Sequence, residues 1–261
     1  MTRARRRRET GVDRWLFTGH IAGAGTTGGT RLVLGAWDHS PHGPFADVMV
    51  AHPDGRRELL APDDWVADFV SATYVFDDVR RVPVSVTVDE PGPGDRAGDS
   101  ARSWTGDVTQ PKPSDVVRSG ADDVVGRGGR TAAPAARPGS RWTVRAGPLH
   151  WEFTVGPRSA WGQLLRAIPP RLGRTLTVAR FSDRVARVVM PGVRTLGTAG
   201  NDRLEWYSAR DLHRITASTA TWDGRDLGGL ANMDPPPQFG FSSTPRRPML
   251  TTLTSTVRVP R

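Results

Sequence analysis

The sequence predicts a mainly β (α+β) fold, an antiparallel barrel or strongly curved sheet with a short helical segment around residues 159–190. Three observations predict it. Two runs, residues 212–222 and 249–257, are dense in Thr and other β-favouring side chains and contain neither Pro nor Gly. Residues 149–155 alternate Leu149, Trp151, Phe153 and Val155 with His150, Glu152 and Thr154, the pattern of a strand with one buried face. Helical spacing is confined to short stretches, the longest between 159 and 190.

The elements follow in chain order. Residues 1–12, with Arg3 and Arg5 to Arg8, read as a disordered basic tail. Residues 14–21 form a strand with Trp15, Phe17, Gly19 and Ile21 on one face. A Gly/Thr loop at 23–30 leads to a second strand at 31–37. Strands at 45–51 and 56–60 flank His52-Pro53-Asp54-Gly55, a hairpin turn. Pro62-Asp63-Asp64 supplies an N-cap for a short helix with Trp65, Phe69 and Ala72 on one face. Further strands are expected at 73–76 and 82–88. Residues 89–140 are rich in Pro, Gly, Asp, Arg and Ser, with few large apolar groups besides Trp104. Such a segment buries too little apolar area to offset its ordering entropy, so it reads as a disordered insertion. It divides the sequence without dividing the fold, leaving 13–88 plus 141–261 as a single β-rich domain.

Strand character resumes at 141–144. Ser159 can cap a helix over 160–167, which Pro169-Pro170 ends, and 174–190 keeps helical spacing until Pro191-Gly192. A strand at 203–208 leads into the run at 212–222. Between the two Thr-rich runs lie residues 223–248. Leu227, Leu230, Met233, Phe239 and Phe241 make this connection too apolar for a solvated linker, so it reads as an ordered loop laid over the body of the domain.

Four phrases stand out as a set: Ser40-Pro41-His42-Gly43-Pro44-Phe45-Ala46-Asp47-Val48-Met49-Val50, Pro191-Gly192-Val193-Arg194-Thr195, Asp211-Leu212-His213, and the run from Phe239 to Pro248. In these the chain resembles a family of uncharacterised proteins from high-GC Gram-positive bacteria. The resemblance covers both ordered parts and skips the insertion. It implies a bacterial host of that group and no activity.

Composition narrows the classes. There is no Cys, which excludes disulfides, thiolate catalysis and Cys-ligated zinc. No apolar run approaches the roughly 20 residues that span a bilayer. Glu9 to Asp13 follows the Arg cluster where a secretory signal would turn apolar, so the expected location is the cytoplasm. The net charge is +9, yet Lys112 is the only lysine. That skew looks like a high-GC genome replacing Lys throughout, which argues against nucleic acid as the partner.

Four motifs carry possible chemistry. Gly23-Ala24-Gly25-Thr26-Thr27-Gly28 fits a dinucleotide pattern, but a strand follows it where the pattern needs a helix, so a hairpin loop is expected. Asp38-His39-Ser40-Pro41-His42 offers His39 and His42, with Asp38 or His52, as metal ligands, or Ser40 with a His as a nucleophile pair; the same residue types also build surface turns. The Arg-rich stretch from Arg158 to Arg194 could meet phosphates, or be a solvated face. The run Phe239, Gly240, Phe241, Ser242, Ser243, Thr244, Pro245, Arg246, Arg247 ranks highest. Two guanidiniums beside three hydroxyls can grip a carboxylate or phosphate, and two Phe rings can wall an apolar part; alternatively Phe plugs the core and Arg pairs with Asp226 or Asp234. Arg246, Arg247, Ser242, Ser243, Phe239 and Phe241 are therefore the expected ligand-binding residues, for a small anionic or amphipathic molecule under a loop at 226–248. Small residues at Thr216, Ser218 and Ala220 leave room for it. No metal or cofactor is expected. The alternative is an enzyme of hydrolase or isomerase type on the same scaffold, with His39, His42 or His213 and Asp38, Asp211 or Glu205 as acid–base partners.

Overall fold

Alternation and β-branching along the chain produce strands wherever a run escapes Pro and turn chemistry. In a computed structural model, residues 12–91, 101–105, 116–119, 123–126, 136–166, 196–198, 203–240 and 244–260 are described. The first part holds β1 (Val12–Thr26), β2 (Arg31–His39), β3 (Phe45–Ala51), β4 (Arg57–Ala61), α1 (Asp64–Ser71), β5 (Asp78–Arg81) and β6 (Val84–Asp89). Three short strands follow, β7 (Ala101–Thr105), β8 (Val116–Ser119) and β9 (Asp123–Gly126). The second part holds β10 (Arg141–Ala146), β11 (Leu149–Arg158), α2 (Ala160–Arg166), β12 (Leu196–Thr198), β13 (Leu204–Trp222), β14 (Arg225–Asp226), β15 (Leu230–Ala231) and β16 (Met249–Pro260). The basic tail through residue 11, the helical stretch beyond Arg166 to 190, and Phe241, Ser242 and Ser243 lie outside the described residues.

The strands run in the order β5-β4-β3-β2-β1-β16-β13-β11-β10-β6-β7. The β4–β5 and β1–β9 pairs are parallel and the other pairs antiparallel. The two Thr-rich runs, β13 and β16, lie side by side at its centre, with Tyr207 opposite Ser255 and His213 opposite Leu250. The sheet curls on itself. Leu32, Leu34, Val48 and Val50 from one arm share a single core with Val86, Val144, Trp151 and Phe153 from the other. Each such side chain contributes about 1.5–3 kcal/mol on full burial, and this inner core fills the curl. The fold is thus mainly β on one strongly curved sheet, as the periodicity predicts.

The outer face of β1 to β4, β13 and β16 carries a second core. Phe17, Trp37, Phe45 and Leu59 meet Val66 and Val70 of α1 there. Beside it, Val33 meets Met233 and Phe239 from the connection between β15 and β16. That connection is therefore laid over the body of the domain. The α1 N-cap is Asp63, whose carboxylate accepts from the Val66 amide at 2.8 Å. The predicted apolar face is shifted: Val66, Ala67 and Val70 are the buried residues of α1. Trp65 and Phe69 are half-buried and stack on one another with ring centres 5.1 Å apart.

Four other expectations are corrected. Residues 73–76 form no strand; two amides there, of Thr73 and Tyr74, still bond back to Val70 at the end of α1, and the edge strand starts at Asp78. The Gly/Thr loop shrinks to a turn at Thr27–Gly29, because β1 continues through Gly23 and Gly25. A Cβ on Gly25 would lie 2.1 Å from the Asn232 carbonyl oxygen, so this glycine admits the backbone beside β15. The expected strands at 203–208 and 212–222 are one strand, β13, with a register shift between Ala209 and Asp211. The small residues of β13 make room for protein: Ala220 lies opposite Trp151 and Ser218 opposite Phe153, and the Trp151 indole N–H donates to Ser218 Oγ at 2.9 Å.

Within 89–140 the described backbone pairs β7 with β6, and β9 with both β8 and β1. Replacing residues 92–135 by a short Gly/Ser linker is expected to leave unfolding cooperative and the Tm within a few degrees, because the core residues named above lie outside that stretch. Thermal denaturation followed by circular dichroism checks this; a broadened transition would place the segment in the cooperative unit.

Candidate functional site

Between the outer face of the sheet and its cover lies a cavity of about 60 Å³. Alternation puts Phe45, Asp47 and Met49 of β3 on this face while Ala46, Val48 and Val50 enter the inner core. Val33, Gly35 and Trp37 of β2, Phe17 and Ile21 of β1, Glu205 and Tyr207 of β13, and Ser255 of β16 complete the floor. The cover is Phe69 and Val70 of α1, then Thr73 and Tyr74, and the stretch from Pro237 to Gly240 with Thr244.

The walls are apolar and aromatic, and two carboxyl groups are set into them. Glu205 is 5 % exposed. Ser255 Oγ donates to its Oε1 at 2.6 Å and the Tyr74 hydroxyl donates to its Oε2 at 3.0 Å. The Tyr74 and Tyr207 hydroxyls bond to one another. Burial pushes the Glu205 carboxyl above the ordinary range, against the pull of these hydroxyls and of the Arg203 charge. Burial also pushes the Tyr74 phenol well up, with the Glu205 charge adding to it. Arg203 is held behind the wall, donating to the Phe69 carbonyl at 3.1 Å, with its guanidinium carbon 4.9 Å from the Phe69 ring centre.

Asp47 differs from Glu205. It is 1 % exposed, and the Trp37 indole N–H donates to Oδ1 at a long 3.3 Å. Its Oδ2 has no hydrogen-bond partner among the described residues. Burial, with the Glu205 charge behind it, raises the Asp47 pKa to about 7, while the Trp37 bond pulls the other way. Gly35 makes this arrangement possible, since a Cβ there would lie 2.6 Å from Asp47 Oδ1 and 2.8 Å from the Trp37 indole nitrogen.

The residues singled out from the sequence are scattered. Phe239 lines the cavity. Arg246 pairs with Asp234 at the surface, and Arg247 is exposed. No Arg is among the described residues lining the cavity. The Asp38–His42 motif is the end of β2, Asp38 and His39, followed by a turn: the Ser40 hydroxyl donates to the Gly43 carbonyl at 2.5 Å and accepts from the His42 amide at 3.0 Å. His42 serves α1, with Nε2 2.9 Å from Asp63 Oδ2 and its ring stacked on Trp65 at 4.4 Å. His39 is exposed. His52 lies 3.1 Å from Glu58 Oε2. No group of three or more His, Cys, Asp or Glu among the described residues is arranged to hold a metal ion.

His213 and Asp211 do meet, but under the inner face of the sheet. His213 is fully buried, with Nδ1 3.1 Å from the Gly156 carbonyl and Nε2 3.5 Å from Asp211 Oδ2. The carbonyl can only accept, so Nδ1 carries the proton. Arg158 Nε donates to both Asp211 oxygens, at 2.7 and 3.0 Å. Burial works to raise the Asp211 pKa, but Arg158, the Leu212 amide and His213 together hold it below the ordinary value. His20, which the sequence did not single out, bonds Thr252 Oγ1 at 3.2 Å, and burial together with His213 lowers its pKa to about 4. No His is among the described residues lining the outer cavity.

The fold and the site together define a curled β-sheet protein with an acidic, aromatic-walled cavity on its outer face. No known family, curated protein or solved structure matches the chain.

Proposed function

We propose that the protein is a binding module for a small amphipathic molecule, held in the outer-face cavity under α1 and the connection before β16. One observation carries this reading. Asp47, in the wall of a largely apolar and aromatic chamber, keeps one carboxyl oxygen without a partner among the described residues. Burying a polar atom without a partner costs about 1–3 kcal/mol, and a ligand that donates to Oδ2 recovers it. The apolar walls suit the rest of such a molecule. At about 10–15 Å³ per water-sized group, a volume of about 60 Å³ fits a ligand of some four to six heavy atoms. Acid–base catalysis has less support, because the His213–Asp211 contact lies on the opposite face of the sheet from the cavity, and Arg158 already occupies the Asp211 carboxylate.

Titration with 1-butanol tests this reading. The indole N–H resonance of Trp37, assigned with a Trp37→Phe variant, should shift and saturate, because that group touches Asp47. Shifts spread over surface amides, with Trp37 unmoved, would refute occupancy of the cavity.

A further inference from the structure

We propose that the molecule this cavity selects is a small organic cation, an alkylammonium whose charged head sits between Asp47 and the aromatic walls. The inference rests on the binding reading above and goes beyond it in assigning the charge of the ligand. Trp37, Phe45, Phe69, Tyr74 and Tyr207 line the chamber. Aromatic faces are negative and attract cations, most strongly where water is excluded. Asp47 and Glu205 both line the chamber, and no Lys, Arg or His is among its described lining. Glu205 is already served by Ser255 and Tyr74, and feels the charge of Arg203. Asp47 has no such company: one long bond from Trp37 and a bare Oδ2.

The charge state fixes a pH signature. An ammonium ion pairs with the carboxylate form of Asp47 and gains little from the neutral acid. An alkylamine, close to a Lys side chain in basicity, stays charged well above neutral pH. With the Asp47 pKa at about 7, ammonium affinity should be full above that pH. It should fall by up to tenfold per pH unit below it, while affinity for an alcohol follows no such course. Bound ammonium in turn favours the carboxylate, so uptake below neutrality releases a proton to the buffer.

The test compares n-butylammonium, 1-butanol and butyrate, which share a chain and differ in the head group. Each is titrated at pH 8 and pH 5.5 by calorimetry and by the Trp37 indole resonance. The expected result is that n-butylammonium binds at least tenfold tighter than the other two at pH 8, and that this preference shrinks at least tenfold at pH 5.5. In Asp47→Asn the ratio of ammonium to alcohol affinity should fall to about one. Equal or tighter binding of 1-butanol or butyrate, or a preference unaffected by pH and by Asp47→Asn, would overturn the cation assignment and leave the cavity reading standing. No response of Trp37 to any of the three would overturn both. The pH series uses the unaltered protein, so the decision does not depend on how the variant folds.

Discussion

Trp151→Ala should destabilise the protein by about 3–5 kcal/mol, the range for truncating a buried aromatic. Trp151 is fully buried at the heart of the inner core, where arms from both ends of the sheet converge. Its ring lies 4.9 Å from that of Phe153, and its indole N–H is satisfied by Ser218. Truncation removes the ring and leaves the Ser218 hydroxyl without that donor. The neighbours are hydrogen-bonded strands of one curled sheet, which collapse poorly around a void, so the upper half of the range is expected. Urea denaturation measures it as a lowered midpoint with an unchanged slope. A variant as stable as the parent would mean that the inner core does not hold the two arms together.

Asp47→Asn should act in the opposite direction and stabilise the ligand-free protein by about 2–4 kcal/mol at pH 8. Asn is the neutral isostere of protonated Asp, so the variant keeps the shape and removes the buried charge. The sign follows from linkage. The folded-state pKa of about 7 lies above the ordinary 3.8, so between these values the folded protein binds the extra proton. The stability that the neutral acid supplies is fully present below 3.8 and is lost as pH rises to about 7. At about 1.4 kcal/mol per pH unit that interval corresponds to some 4 kcal/mol, an upper bound because the chamber admits some relaxation. Parent and variant should therefore be equally stable near pH 3.5 and diverge up to pH 7, with a constant gap above. Denaturation midpoints across that range test it, and a variant less stable than the parent at pH 8 would remove Asp47 as a strained group.

Much of the fold is legible in the sequence because burial on one face writes itself as alternation. Leu149, Trp151, Phe153 and Val155 announce their strand, and the Thr-rich runs announce the centre of the sheet. The cavity is less legible, for topological reasons. Tyr74 and Tyr207 are the only tyrosines in the chain and lie 133 positions apart. They meet because β13 crosses beneath the segment that leaves α1, which no local pattern encodes. One signal was present: Asp47 is a lone acid in the apolar run from Phe45 to Ala51, and strand β3 is buried on both faces. Arg246 and Arg247 attracted attention through local chemistry, which left two outcomes open; Arg246 takes the second, pairing with Asp234 at the surface.

The cover of the cavity has two pieces that are not independent. The Val75 amide, just past α1, donates to the Phe239 carbonyl at 2.7 Å, and Arg57 on β4 reaches the Gln238 carbonyl at 3.3 Å. A ligand of the proposed kind, entering or leaving by parting these pieces, would wait until that backbone bond breaks, so its occupancy would be a matter of clocks as well as affinities. The amide of Val75 keeps the same clock: it exchanges with deuterium only when the pieces part. Residence time and exchange lifetime should therefore lengthen and shorten together when the seam is tightened or loosened, even where the equilibrium constant stays put.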